Sequence, residues 1–319
     1  MKVLANDGIS DAGKNALQEA GIELLEVKVS QEHLTHFINE NQVDVLLVRS
    51  ATKVREELID ACPGLKIIGR GGVGMDNIDV EYAIDKGIYV INTPNASSRS
   101  VAEMVFAHFF SLARFLHESN RLMPLEGDTH FSALKKSFGK AQELEGKNLG
   151  VIGFGGIGKE VVKMGISLGM KVKVLTRKPK TETLSLHFFD GQCLDFEITS
   201  TQDWDEFLLD TDFISINTPK TKEYVLDAPQ FEKMKDGVFI VNTARGGVIN
   251  EVELLKFIES GKIAGAALDV FENEPSPELP LLMNPNLSLS PHVGGNTLDA
   301  QNKIGVELAH QIIDIQTKL

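Results

Sequence analysis

"LGVIGFGGIGKEVVKMGISLGMKVKVLTRKPK", residues 149–180, reads as a strand, a glycine-rich turn, a helix and a second strand. Leu149–Ile152 is a short apolar run, and Gly153-Phe154-Gly155-Gly156-Ile157-Gly158 then fits GxGxxG. That pattern is weak alone, but here it follows a strand and opens a helix, the context it requires. Gly153 permits the tight turn, Gly155 lets the backbone approach a pyrophosphate, and Gly158 lets the helix pack on the strand. The helix N-terminus adds partial positive charge toward the phosphates. The stretch therefore predicts a dinucleotide site. An acidic residue should close the second strand and hold a ribose; Thr176, Arg177 and Lys178 stand there instead.

Strand-like and helix-like segments alternate on both sides of this unit. Upstream, strands are expected at Lys2–Ala5, Glu23–Val27, Val43–Val48, Leu65–Gly69 and Ile88–Asn92, with helices at Ala12–Ala20, His33–Asn39, Glu56–Ala61 and 79–86. VDVLLV (43–48) is nearly continuously apolar, as a parallel strand covered on both faces should be. Ser100-Val-Ala-Glu103 reads as a capping box opening a helix to about Arg114, apolar nearly all round (Val101, Val105, Phe106, Phe109, Phe110, Leu112) and hence buried. Residues 120–147 look polar and irregular. A second series runs from Leu149 to about Leu289 and includes Phe213–Ile216, Val238–Val241 and Ala264–Leu268; a last helix covers about 297–316.

This alternation predicts an α/β protein of two doubly wound parallel-sheet domains. Residues 1–97 with 294–319 form a flavodoxin-like substrate-binding domain. Residues 98–293 form a Rossmann dinucleotide-binding domain, with a cleft between the two.

The chain has 319 residues and a net charge of −13, which argues against nucleic acid as a partner. A local basic pocket can still take an anionic small molecule. Two cysteines, Cys62 and Cys193, are too few for a disulfide framework. No signal-like segment and no run of 18 apolar residues is evident, so no membrane association and a cytoplasmic location are expected. No metal-ligand spacing and no catalytic Ser or Cys motif is evident.

The chemistry candidates follow strands of the second series. VFIVNTARGG places Arg245 beyond one strand, ALDVFENEP places Asp269 and Glu274 beyond the next, and LSLSPHVGG places His292 beyond another. Ligands of open α/β sheets bind outside the carboxyl ends of the strands. An Arg binds a carboxylate bidentately, a His exchanges a proton near neutral pH, and a Glu beside it orients the ring. Together they suit oxidation of a 2-hydroxy acid with a nicotinamide as hydride acceptor. GRGGVG (69–74) and ARGGVI (244–249) read as turns that bring backbone amides near a ligand. The other seven histidines read as structural or solvated, and the phenylalanines of 106–115 as core.

In GFGGIG, NTARGG, DVFENEP and SPHVGG, in this order, the chain resembles the D-isomer-specific 2-hydroxyacid dehydrogenases over nearly its whole length. The resemblance implies that Arg245 binds the substrate carboxylate and carbonyl, His292 is the acid–base group and Glu274 supports it. It also implies that Asp269 meets the nicotinamide carboxamide, Thr218 lies near the nicotinamide side, and Pro219, Thr243, Ala244 and Gly294 line the cofactor with Gly153–Gly158. VRSATKV (48–54), GRGGVGMDNID (69–79), SRSVAE (98–103) and HVGGNTLDAQ (292–301) look most like the branch that oxidises 3-phosphoglycerate in the first step of serine synthesis. The chain looks like that branch's short form without a regulatory domain, and a homodimer is implied. Hydroxypyruvate or glyoxylate reduction is the alternative within the class. A non-catalytic, dinucleotide-sensing corepressor-like protein is the rival outside it.

On that reading Arg49, Lys53 and Arg70 receive the substrate phosphate and the Gly72-Val73-Gly74 amides its carboxylate, with Lys136 or Lys140 adding charge. For the cofactor, Thr176-Arg177-Lys178 favours NADP(H), because an Arg past this strand accommodates a 2′-phosphate, whereas the family resemblance favours NAD(H).

Overall fold

Apolar runs too continuous to leave one face in water become central parallel strands, covered by helices on both sides. The computed structural model describes residues 1–318. The chain divides into two units: residues 1–100 with the segment from Gly295 onward, and residues 101–294.

The first unit runs β1 (Lys2–Ala5), α1 (Asp11–Glu19), β2 (Glu23–Leu25), α2 (Gln31–Glu40), β3 (Val45–Val48), α3 (Glu56–Ala61), β4 (Ile67–Arg70), α4 (Val80–Asp85) and β5 (Tyr89–Asn92). Its parallel sheet has the order β2-β1-β3-β4-β5, the flavodoxin-like arrangement. Successive residues feed opposite faces. Val3, Val45, Leu47 and Ile67 join one core cluster, while Leu4, Leu46, Val48 and Ile68 join another.

The second unit is reached along α5 (Ser98–Ala113) and continues with α6 (Leu116–Glu126), α7 (Phe131–Ser137), β6 (Asn148–Ile152), α8 (Gly156–Ser167), β7 (Lys171–Leu175), β8 (Thr181–His187), β9 (Cys193–Thr199) and α9 (Trp204–Leu208). It is completed by β10 (Phe213–Ile216), α10 (Ala228–Lys233), β11 (Val238–Asn242), α11 (Glu251–Glu259), β12 (Ile263–Leu268), α12 (Leu279–Met283) and β13 (Leu287–Leu289). The last helix, α13 (Leu298–Gln316), belongs to the first unit, where it packs on α1. There Gly13 and Gly305 meet so closely that a Cβ on Gly13 would lie 2.6 Å from the Gly305 carbonyl carbon.

The sheet of the second unit is parallel, in the order β13-β12-β11-β10-β6-β7. The usual dinucleotide-binding order carries one more strand outside β7. Here that place is reduced to a parallel bridge between Leu175 and Thr201, and the segment before it folds as the antiparallel β8–β9 hairpin. The sequence reading did not anticipate this hairpin. The order reverses between β6 and β10, so the carboxyl ends of these strands flank the switch point at which open α/β sheets hold ligands.

Three local expectations are corrected. Residues 120–147 are not irregular throughout, since α6 and α7 occupy much of them. Ser100 is not a helix cap; α5 begins at Ser98, and Ser100 Oγ pairs with Thr297 Oγ1 at 2.8 Å. Phe110 is not core, being 43% exposed, whereas Phe106 and Phe109 are buried. Among the described residues no helix is long and apolar enough to cross a membrane.

Candidate active site

The glycine turn is built as a cradle. Gly153 takes φ +96°, and a Cβ there would meet Asn217 O at 2.6 Å. A Cβ on Gly158 would lie 2.1 Å from Gly153 O, so α8 can approach the turn only because both residues lack side chains. At Gly155, by contrast, a Cβ would point into open space. The first turn of α8 has no side-chain cap, which leaves Gly156, Ile157 and Gly158 offering amides as an anion site would. At the ends of the next two strands the hydroxyls of Thr218 and Thr243 are buried without a partner. Buried polar groups ordinarily have one. An open glycine cradle beside two orphaned hydroxyls fits a phosphate-bearing ligand with further polar groups, as a nicotinamide dinucleotide has. Pro219 is exposed beside Thr218, and Ala244 is buried, its amide donating to Asn242 Oδ1 at 3.0 Å.

The turn after β11 carries Arg245. Asn242 Nδ2 donates to Arg245 O at 3.0 Å, and Arg245 Nη1 to Ala244 O at 2.7 Å. Gly246 is required next: a Cβ there would sit 1.8 Å from Phe271 O, in the turn after β12. That second turn holds Glu274. Its Oε1 accepts the Phe271 amide at 2.9 Å, and its Oε2 lies 2.8 Å from His292 Nδ1. A carboxylate only accepts, so Nδ1 carries the hydrogen and Nε2 of the neutral ring is the free base. His292 adopts φ +55°, a left-handed conformation costing a non-glycine residue about 1–2 kcal/mol. Asp269, 1% exposed, offsets that cost by accepting the next two amides, Val293 at 2.9 Å and Gly294 at 2.8 Å. Ser290 Oγ donates to the same carboxylate at 2.6 Å.

A profile of the family described as "D-isomer specific 2-hydroxyacid dehydrogenase, NAD binding domain" matches residues 106–294. A hydroxypyruvate reductase of Thermotoga maritima is 39% identical over 318 residues, 98% of this chain and 97% of that protein. The chain belongs to the D-isomer-specific 2-hydroxyacid dehydrogenase family. D-3-phosphoglycerate dehydrogenases of Archaeoglobus fulgidus and Homo sapiens are 38% and 37% identical over 99% and 98% of this chain. The chain spans 57% and 56% of their lengths. Among solved structures, a Thermus thermophilus protein aligns with a TM-score of 0.81 at 26% identity, covering 100% of this chain and 97% of the other. A glyoxylate reductase from Paecilomyes thermophila aligns at 0.76 with 30% identity, covering 98% and 93%. The chain is an NAD(P)-dependent D-2-hydroxyacid dehydrogenase.

In this dehydrogenase the residues after β7 are differently committed. Thr176 Oγ1 donates to Lys178 O at 2.9 Å and shares a hydrogen bond of 2.7 Å with Ser200 Oγ. Its hydroxyl thus ties the β7 end to the β8–β9 hairpin. Arg177 and Lys178 are exposed. Lys180 lies 2.5 Å from Glu182 and donates to Phe154 O at 3.3 Å, and Lys159 pairs with the same glutamate. Hydrogen bonds from Lys159 first, and then Lys180, hold the Glu182 carboxyl below the usual range.

The cations expected to serve the substrate lie in the first unit. Arg49 is half-buried, with its amide on Asp7 Oδ2 at 2.7 Å and Nη2 3.5 Å from Asn296 Oδ1. Arg70 folds back over its own turn, its Nη1 1.9 Å from where a Gly72 Cβ would stand. The carbonyls of Gly72 and Val73 are taken by Thr93 N and Asn92 Nδ2, while Gly74 is half-buried. Lys53 is exposed, its backbone clamped on both sides by Gln31. Lys136 and Lys140 are exposed at and beyond the end of α7.

The sequence reading missed two buried titratable groups of the dehydrogenase, His108 and Glu251. Glu251 opens α11, and its carboxyl accepts the Glu272 amide at 2.8 Å, while Glu272 Oε1 accepts the Glu251 amide at 3.2 Å. Burial first, then the charges of Glu272, Glu278 and Glu274, pushes Glu251 up from 4.5 to about 7, although the Glu272 amide opposes the rise. A carboxyl whose pKa rises on folding stabilises the fold relative to its ionised form only while neutral. That contribution is present below 4.5 and is lost as pH climbs through about 7. Glu251→Gln should therefore melt like wild type at pH 5 and above it at pH 8.5, by at most about 3 kcal/mol. Parallel pH dependence of the two melting temperatures would rule this out.

Proposed function

We propose that this dehydrogenase interconverts 3-phosphoglycerate and its 2-oxo acid. The observation that carries the acid–base part is the His292–Glu274 pair at 2.8 Å, with Nε2 as the free nitrogen. When bound, a nicotinamide dinucleotide supplies the hydride acceptor or donor. In the oxidation, His292 Nε2 takes the proton of the 2-hydroxyl; in the reduction it returns that proton. Glu274, pinned by the Phe271 amide, fixes the tautomer and stabilises the imidazolium while the proton is held. Arg245 binds the carboxylate, with its turn held by Asn242 through the Arg245 carbonyl and by Arg245 Nη1 through the Ala244 carbonyl. Asp269 keeps one lone pair of Oδ2 beyond its three internal donors, enough for a single carboxamide N–H. Arg49, Arg70 and Lys53 serve the phosphate. A second reading, reduction of unphosphorylated hydroxypyruvate, is favoured by the Thermotoga maritima relative, which the chain matches nearly end to end.

For the cofactor we propose NADP(H) with NAD(H) also usable. The Thr176 hydroxyl is engaged by the hairpin, and Arg177 and Lys178 are exposed where the ribose-binding acid would stand. One substrate panel tests both proposals: 3-phosphoglycerate against D-glycerate, and each 2-oxo acid, with both cofactors, on wild type and Thr176→Asp. The phosphorylated substrate should win on kcat/KM. Thr176→Asp should shift the preference toward NAD(H) by about tenfold, the effect of gaining a hydrogen bond to a charged group. Equal use of D-glycerate would eliminate the phosphate subsite. A strong wild-type preference for NAD(H) would eliminate the role of Arg177.

A further inference from the structure

The acid–base site leaves one buried histidine without a task. His108, on α5 and 5% exposed, has both ring nitrogens engaged: Nδ1 is 3.0 Å from Ser288 Oγ and Nε2 3.0 Å from Ser290 Oγ. Ser290 donates to Asp269 Oδ1, and Asp269 receives the two amides that follow His292. The hydrogens of this chain can be assigned. Asp269 only accepts, so the single Ser290 hydroxyl hydrogen points to it. Ser290 Oγ can then only accept from His108, so Nε2 bears a hydrogen. Burial, the largest influence, lowers the His108 pKa; Asp269 draws it up and His117 lowers it further. With the ring neutral, Nδ1 is the accepting nitrogen, and it takes the Ser288 hydroxyl hydrogen at 3.0 Å in competition with Ser111 Oγ, which lies farther from Ser288 at 3.3 Å.

We propose that His108 is a positioning residue for His292, acting through Ser290 and Asp269. The inference rests on the reading of His292 as the acid–base group. A serine hydroxyl has three staggered orientations. The His108 N–H leaves Ser290 only the one that serves Asp269. Without it, Ser290 turns away part of the time, and the Asp269 carboxylate loses one of its three donors. The two amides it holds are those that keep His292 left-handed, with Nδ1 on Glu274. Looser placement of Nε2 lowers the fraction of complexes ready to transfer a proton, without removing any contact to substrate.

The test uses the full chain and whichever 2-oxo acid wild type reduces. It compares His108→Leu, His108→Gln, Ser290→Ala and the double variant His108→Leu/Ser290→Ala, with His292→Asn alongside. His108→Leu should lower kcat by about tenfold, in the range of coupled neighbours in one network, with KM and dinucleotide affinity by fluorescence titration within about twofold. Gln retains one donor and one acceptor and should restore most of the loss. In the Ser290→Ala background His108→Leu should cost nothing more. Wild-type kcat in folded His108→Leu, full additivity with Ser290→Ala, or no rescue by Gln would each overturn the inference. Should His108→Leu fail to fold, Ser290→Ala carries the test, and wild-type kcat there is equally fatal. If His292→Asn itself keeps wild-type turnover, the acid–base reading has failed. If only His292→Asn loses turnover, this inference alone has failed.

Discussion

His292→Asn is expected to lower kcat about 10²–10⁴-fold while leaving dinucleotide affinity near wild type. Asparagine can keep the hydrogen bond to Glu274 and tolerates the left-handed backbone at this position better than most residues. Loss of the fold or of the turn is thus minimised, and what disappears is the nitrogen proposed to take the proton. Glu274→Gln should show a smaller loss, because the ring remains but its imidazolium is no longer stabilised by a charge. Single-turnover kinetics with deuterated substrate separates the cases. Turnover of His292→Asn within a few fold of wild type would remove the histidine from the reaction.

Arg245→Ala should lower kcat/KM for the 2-oxo acid by roughly 10²–10³-fold, since removing one partner of a desolvated charge pair costs about 2–5 kcal/mol. The loss should fall on KM and kcat together, because in the proposed role the guanidinium both holds the carboxylate and aims the reacting carbon. The turn loses the bond from Nη1 to Ala244 O but should survive, since Asn242 still grips the backbone carbonyl of residue 245. Arg245→Lys should recover only part of the loss, a point charge lacking the planar fork. Unchanged melting temperatures with restored kcat/KM in the lysine variant would argue for simple charge attraction. Wild-type kinetics in the alanine variant would place the carboxylate elsewhere.

The parts of this architecture that a single sequence discloses are those buried on both faces. VLLV (45–48), FISI (213–216) and VFIVN (238–242) have no exposed residue, so composition alone marks them as central strands. The glycine turn is legible because Gly153 and Gly158 answer steric demands that no side chain can meet, and Gly155 keeps the approach to the turn open. The hairpin β8–β9 was hidden for the opposite reason. It is exposed along most of its length, up to a wholly exposed Phe189 at its tip, so the short alternation of Leu184 and Leu186 and of Leu194, Phe196 and Ile198 buries little and does not mark a core strand. Helices α6 and α7 bury only Leu134 between them and so lack an apolar stripe. Arg245, Glu274 and His292 were visible from their places after strands. The pairing of Glu274 with His292 and the hold on Arg245 depend on turns, and only the turn geometry shows that Phe271 N and Asn242 do the holding. His108 left no trace, because its partners lie about 180 residues away in sequence.

The close meeting of Gly13 and Gly305 has a consequence for the order in which the protein matures. Residues 101–294 are contiguous and can assemble as soon as they have been synthesised. The first hundred residues cannot finish, because the helix that covers α1 is made only after residues 101–294. At ribosomal rates of about 5–20 residues per second, the N-terminal sheet waits tens of seconds with its α1 side uncovered. The core cluster of Val3, Leu17, Val45, Leu47 and Ile67 then lacks Ile304, Leu308, Ile312 and Ile315, the residues that complete it. The small contact between two glycines therefore marks where a nascent chain is most in need of protection, and where a stalled one would be recognised as unfinished.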